Sequence, residues 1–248
     1  MLFRDWTRRP GAALTLLCLP PAGAGAHLFR GWAARLPAQI AVIGVELPGH
    51  GGRLAEAPVT DLTALIEGPL RSEVSGLLDR PLAVFGQSMG AHLGLELCHA
   101  LARDGDWQPA LLAVAAAPVI EDLPLPQDRE LTDQEVIDFL RFTGGTSPDL
   151  MANDEYLALL VPVIRADLTL IAGRPANPDR PPLDCPVRAY GGASDPGVPV
   201  EDLESWRAQC TGDFHSRVFP GGHFFAQEQE AELLRELERE LLSCLDPF

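Results

Sequence analysis

The chain has no lysine: all 19 basic side chains are arginine, set against 35 aspartates and glutamates, for a formal net charge of −16. A surface so short of positive charge repels phosphate, which argues against nucleic acid or an anionic membrane as a partner. Cysteine is also sparse. The five present (Cys18, Cys98, Cys185, Cys210 and Cys244) are odd in number and lack metal-ligand spacing. They read as buried, reduced thiols in a cytoplasmic protein, and no metal or cofactor is expected. No apolar run is long enough to span a bilayer, and there is no internal repeat or low-complexity tail.

The N-terminus imitates an export signal, with Arg8-Arg9, an apolar stretch and Ala22-Gly23-Ala24. Cleavage there would remove a strand and a loop that the site needs, so retention in the cytoplasm is expected. With 248 residues, 46% hydrophobic and 22% charged, the chain can bury one substantial core.

Short apolar runs at 13–19, 40–47, 82–85, 111–116, 187–190 and 216–219 read as strands. Helical patterns lie between them, at about 28–36, 61–78, 89–102, 201–210 and 227–242. Strands apolar on both faces, such as Leu111-Leu112-Ala113-Val114, belong in a parallel sheet covered by helices on each side. The alternation implies a doubly wound or hydrolase-type α/β sheet in a single domain over 1–248, and the fold expected is the α/β-hydrolase one: a mostly parallel sheet flanked by helices. Residues 118–182 break the rhythm with prolines, a capping box at Thr132-Asp133-Gln134-Glu135, and a helical stretch interrupted by Pro162. This segment is expected to be a helical insertion roofing the site.

Gly86-Gln87-Ser88-Met89-Gly90 sits between a strand run and a helical pattern. A strand, a sharp turn and a helix with serine at the apex push a hydroxyl clear of the sheet, and the flanking glycines are read as permitting the strained turn. A serine nucleophile needs a base and a group to orient that base. His223, in Gly221-Gly222-His223-Phe224-Phe225, follows the last strand and is the candidate base. His92, His99 and His215 lie within regular elements, His50 lies in a strand-end loop near the site, and His27 could contact substrate. Asp195, in Gly192-Ala193-Ser194-Asp195-Pro196, is the candidate acid, with Asp184 and Asp202 as fallbacks. The oxyanion donors are the backbone amides of Met89, at the helix start, and Ala22, in the small-residue loop Pro20-Pro21-Ala22-Gly23-Ala24-Gly25.

The chain resembles the stand-alone type II thioesterases of polyketide and nonribosomal peptide synthases. Beyond the serine turn, the resemblance runs through Pro21-Ala22-Gly23, Glu46-Leu47-Pro48-Gly49, Gly144-Gly145-Thr146, Pro162-Val163-Ile164-Arg165-Ala166-Asp167, Gly192-Ala193-Ser194-Asp195 and Gly221-Gly222-His223-Phe224-Phe225. The resemblance implies hydrolysis of acyl thioesters on the phosphopantetheine arm of acyl or peptidyl carrier proteins, to clear stalled or misprimed groups. Ser88, Asp195 and His223 then form the triad, and Ala22 and Met89 hold the oxyanion. Small acyl thioesters would also be substrates, and a monomer is the default. One departure stands out: the family commonly has histidine before the serine, where this chain has Gln87. Because carrier proteins are acidic too, docking is expected to use apolar contacts and local arginines, with Arg30, Arg35, Arg53 and Arg165 as candidates. Two other readings remain open. One is a carboxylesterase or acyltransferase on the same scaffold, and the other is a catalytically silent module that binds carrier domains.

Overall fold

The computed structural model describes residues 1–103, 105, 107–119, 125–126, 129–174 and 180–245. Its centre is a seven-stranded sheet formed by β1 (Phe3–Asp5), β2 (Leu14–Leu19), β3 (Ile40–Val45), β4 (Leu82–Gln87), β5 (Leu111–Ala115), β6 (Val187–Gly192) and β7 (Phe214–Phe219), in the order β1-β3-β2-β4-β5-β6-β7. The six pattern-predicted strands are all present and pair in parallel. β1 is the exception: it runs antiparallel at the edge, with Arg4 opposite Gly44. Its three residues carry no apolar pattern, so nothing in the sequence marks it.

Continuous apolar strands serve two cores at once because alternate residues point to opposite faces. In β2, Leu17 and Leu19 pack on one side and Leu14, Leu16 and Cys18 on the other. In β4, Val84 and Phe85 divide in the same way. The first face is covered by the helix Met89–Ala102 and by the insertion; the second by the C-terminal helix Glu230–Ser243, through Leu233, Leu234, Leu237 and Leu241. Phe29, Trp32 and Phe85 meet edge-on in this second core, with ring centroids 4.8–6.0 Å apart.

Two expected helices are broken. Over 28–36 the chain instead forms a 3-10 turn at Ala26–Phe29 and a short helix at Trp32–Arg35, with Gly31 between them. Over 61–78 the helix passes through a π-type stretch at Ile66–Leu70, where Gly68 leaves helical dihedrals and Pro69 has no amide to donate. The expected helix at 201–210 is a 3-10 helix, Val200–Gln209. Pro162, by contrast, does not end its helix, which runs through Asp154–Ala172. Burial of Val161, Ile164, Leu168 and Ile171 along one face outweighs the missing hydrogen bond.

The insertion leaves the sheet after β5 and returns at β6. Its described part contains helices Asp133–Thr143, Pro148–Met151 and Asp154–Ala172, the first opened by the expected Thr132/Glu135 capping box. Within the expected 118–182 insertion, residues 120–124, 127–128 and 175–179 fall outside the description. Cys18, Cys98 and Cys185 are buried, Cys210 and Cys244 half-buried, and all five are free thiols.

Candidate active site

The chain leaves β2 toward β3 on one side and leaves β4 toward β5 on the other, so the sheet reverses direction between β2 and β4. A crevice at the carboxyl ends of the strands forms at such a point. The loop after β2 brings Ala22 to it, and the turn after β4 brings Ser88 and Met89.

Ser88 adopts φ 52° and ψ −118°, a conformation that L-residues avoid. Its backbone amide donates to the Ala115 carbonyl at 2.8 Å, fixing the turn to β5. The glycines on either side play a different part from the one expected. Neither has positive φ. A Cβ on Gly86 would overlap the Gly90 carbonyl, and one on Gly90 would overlap the Leu19 carbonyl of β2. They supply clearance, and the strain resides in the serine.

His223 and Asp195 arrive from the loops after β7 and β6. His223 Nε2 lies 3.0 Å from Ser88 Oγ, and its Nδ1 lies 2.8 Å from Asp195 Oδ2. A carboxylate can only accept, so Nδ1 carries the proton and Nε2 is left to accept from the serine hydroxyl. The other oxygen, Asp195 Oδ1, accepts the Gly197 amide at 2.9 Å. The Asp195 side chain is fully buried and His223 nearly so, while Ser88 is half-buried at the mouth of the site. Chemically, this array can take a proton from the hydroxyl while holding the resulting imidazolium against a fixed anion. Met89 opens its helix, where first-turn amides have no partner within the helix. Met89 and Ala22 both line the cavity beside Ser88.

That cavity holds about 310 Å³ and is walled by apolar side chains of the insertion, including Phe139, Phe142, Leu168 and Ile171. A larger one, about 550 Å³, lies at the opposite end of the serine helix. It is lined by the ion pairs Arg180–Glu96 and Arg103–Glu67 and holds none of the three groups, so the smaller cavity is the one onto which Ser88 and His223 open.

The other expectations sort out by position. Asp184 is exposed and accepts from Thr211, and Asp202 is exposed on the 3-10 helix, so neither is near His223 as an orienting acid. His27 is exposed and does not line the cavity, and His215 is exposed beside Asp213. His50 is buried behind the Ala22 loop against Asp167. Among the candidate docking arginines, Arg35, Arg53 and Arg165 are paired with Glu230, Glu56 and Asp133, and Arg30 lies over the Trp6 ring.

Two residues named in the sequence have a place at the site that it did not assign. His92 is on the cavity wall, one helical turn after Ser88 on the same face, which the i, i+4 spacing could have shown. Burial and the Arg174 charge push its pKa down to about 3, so it is neutral there. Gln87 forms a reciprocal amide pair with Gln227, at 2.7 and 3.1 Å, and also donates to the His223 carbonyl. It does not line the cavity. In place of histidine, this glutamine fastens the loop that presents the imidazole.

Residues 14–241 match the family model described as a thioesterase domain. The gramicidin S biosynthesis protein GrsT of Aneurinibacillus migulanus is 33% identical over 95% of this chain and 92% of its own length. The RedJ thioesterase from the prodiginine pathway of Streptomyces coelicolor is 37% identical, covers 93% of this chain and 91% of its own, and superposes with a TM-score of 0.82. The type II thioesterase BorB from the borrelidin cluster is 30% identical, covers 97% of both chains and superposes at 0.81. These structures share the α/β-hydrolase architecture found here. With this sheet, this cavity and similarity along nearly its whole length, the chain belongs to the thioesterase family of hydrolases, whose relatives here include type II thioesterases of polyketide and nonribosomal peptide pathways.

Proposed function

We propose that the protein hydrolyses acyl thioesters carried on the phosphopantetheine arm of acyl or peptidyl carrier proteins, clearing stalled or misprimed groups. The observation that carries this reading is the Ser88–His223–Asp195 relay, at 3.0 and 2.8 Å, opening onto an apolar cavity of about 310 Å³. His223 takes the Ser88 proton as Oγ attacks the thioester carbonyl. Asp195 holds the imidazole in the required tautomer and stabilises the imidazolium. The Met89 and Ala22 amides hold the tetrahedral oxyanion. The protonated His223 gives its proton to the departing pantetheine thiol, leaving an acyl-enzyme, and then activates water to release the free acid. No step calls for a metal or cofactor. A carrier-borne substrate is a cytoplasmic one. Among the described residues, no helix is long and apolar enough to cross a membrane.

The test is a hydrolysis panel of short and long acyl groups on carrier protein, with pantetheine thioesters and oxygen esters alongside. Wild-type protein is expected to favour the thioesters, and Ser88→Ala and His223→Ala to lose roughly three or more orders of magnitude. Undiminished hydrolysis by Ser88→Ala would sink the serine mechanism. Preference for oxygen esters would indicate a carboxylesterase, acyl transfer to an added alcohol or amine would indicate an acyltransferase, and failure of a fluorophosphonate to label Ser88 would point to a silent binding module.

A further inference from the structure

Behind the Ala22 loop, three separate segments converge on one oxygen atom. Asp167, on the second long helix of the insertion, accepts the Gly23 amide at 2.7 Å and faces His50 Nε2 at 2.8 Å, both through Oδ2. His50 Nδ1 lies 3.0 Å from the Pro48 carbonyl. The two side chains are only 1% and 2% exposed. A carbonyl can only accept, so Nδ1 carries a proton, and the bond to Asp167 needs a further proton between Nε2 and Oδ2. The pair therefore holds two protons over two nitrogens and a carboxyl, an imidazolium–carboxylate in its charged form. The short bond from the Gly23 amide favours that form, because a carboxylate is the stronger acceptor.

The loop is pressed against the same helix. Gly23 adopts φ +75°, and a Cβ there would overlap Ile164, which lies one turn before Asp167. Its immediate neighbour is Ala22, on the wall of the cavity. The triad mechanism makes no use of His50 or Asp167.

We propose that Asp167, with its carboxylate held by His50, is a positioning residue that anchors Gly23 and so aims the Ala22 amide at the oxyanion. This rests on the reading of Ala22 as an oxyanion donor. The insertion helix is then more than a roof over the acyl group. It holds one half of the oxyanion hole, so the loop keeps its place only while that helix is seated. Burial on its own would discharge His50, but the Asp167 bond and charge outweigh it and raise its pKa.

Asp167→Asn removes the charge that keeps a proton between Nε2 and residue 167, and leaves a neutral amide oxygen as a weaker acceptor for Gly23. The experiment compares it with wild-type protein and His50→Gln on an acyl-pantetheine thioester, with affinity for a boronic acid that forms a tetrahedral adduct on Ser88 as a second measurement. Removing an oxyanion donor outright costs about 10²–10³ in kcat, so misplacing one is expected to cost about 10–100-fold in Asp167→Asn, with KM changed less than about threefold. Boronate affinity should weaken in parallel. His50→Gln should lose less, and the double variant should resemble Asp167→Asn alone, since both act on one contact. A kcat within about twofold of wild type in folded Asp167→Asn overturns the proposal, as does a loss confined to KM. If Asp167→Asn does not fold, His50→Gln carries the same two measurements, and an unchanged kcat there overturns it. Absence of turnover by the wild-type protein would instead strike at the thioesterase mechanism itself.

Discussion

Replacing Ser88 by glycine should make the protein more stable than replacing it by alanine, although both changes remove the hydroxyl of the proposed nucleophile. At φ 52° and ψ −118°, Ser88 occupies the geometry of the first central residue of a type II′ turn. Glycine adopts it freely, whereas any side chain with a Cβ is strained there by about 1–3 kcal/mol. Alanine keeps the Cβ and hence the strain. Glycine relieves it but adds back about 0.4–1 kcal/mol of chain entropy in the unfolded state. Neither replacement caps the helix with its side chain, as the serine itself does not, and the general N-cap preference for glycine over alanine acts in the same direction. The difference should therefore be about 1 kcal/mol in favour of Ser88→Gly, or about 2–4 °C in Tm for a chain of this size. Chemical denaturation of the two variants, fitted with a common m-value, measures it directly. If Ser88→Gly proves equal to or less stable than Ser88→Ala, the serine is not a strained residue and the account of the turn is wrong.

Gly90→Ala should be severely destabilised and inactive, since its Cβ would overlap the Leu19 carbonyl and must push β2 away from the serine turn; calorimetry and turnover would show both losses. Asp195→Asn should fold but lose about 10⁴ in kcat by favouring the wrong imidazole tautomer, and an unimpaired variant would remove Asp195 from the relay. Acid should destabilise the fold through His92 and His99, whose pKa values lie at about 3 and about 4 against the usual 6.5. The unfolded chain binds those protons first, so this stabilisation is complete above about pH 6.5 and fades as pH falls, costing about 2 kcal/mol at pH 5 for His92 alone. His50 runs the other way: its raised pKa stabilises below about 6.5 and that contribution is lost as pH rises through the folded value. Denaturation midpoints for His92→Leu, measured from pH 7.5 to 5, should be flatter than those of wild type. Carrier docking should weaken little with salt, because Arg35, Arg53 and Arg165 already face acidic partners, and should depend on exposed apolar side chains of the insertion such as Leu159. Leu159→Ser is expected to lower kcat/KM about 3–10-fold for carrier-borne substrate while sparing the pantetheine thioester, and a steep salt dependence would contradict the picture.

The parts of the site that could be read from the chain are those encoded by a strand and the few residues after it. Ser88, Asp195 and His223 each follow a strand within a short loop, and parallel strands deliver all such loops to one edge. Linear order along the chain was therefore enough to bring together groups 135 and 28 residues apart. The serine helix was legible to its ends because both come from strong local signals, the turn at Ser88 and the periodic run through Ala102. Local signals fail where tertiary contact decides. β1 exists because β3 offers it an open edge, and Pro162 is tolerated because its helix has a core to cover.

The same division separates the triad from what supports it. Gln87 is adjacent to Ser88 in sequence, yet its partner is Gln227, 140 residues away, and its place in the structure follows from that amide pair. Asp167 could be noticed in Arg165-Ala166-Asp167 only as part of a resemblance, because a buried aspartate on an insertion helix has no function until Gly23 and His50 are placed against it. This insertion packs on the serine helix and on loops and takes no part in the strand register, so no periodicity in its own sequence records which loop it will touch. On the proposed mechanism, the groups that break and make bonds are thus carried by the sheet, whose order is inferable, and the residue proposed to aim one of the oxyanion donors is carried by the insertion, whose seat is not. Lengthening or exchanging the insertion should accordingly alter kcat through the Ala22 loop as well as acyl preference through the cavity wall, two effects that would be independent if the insertion were only a cover.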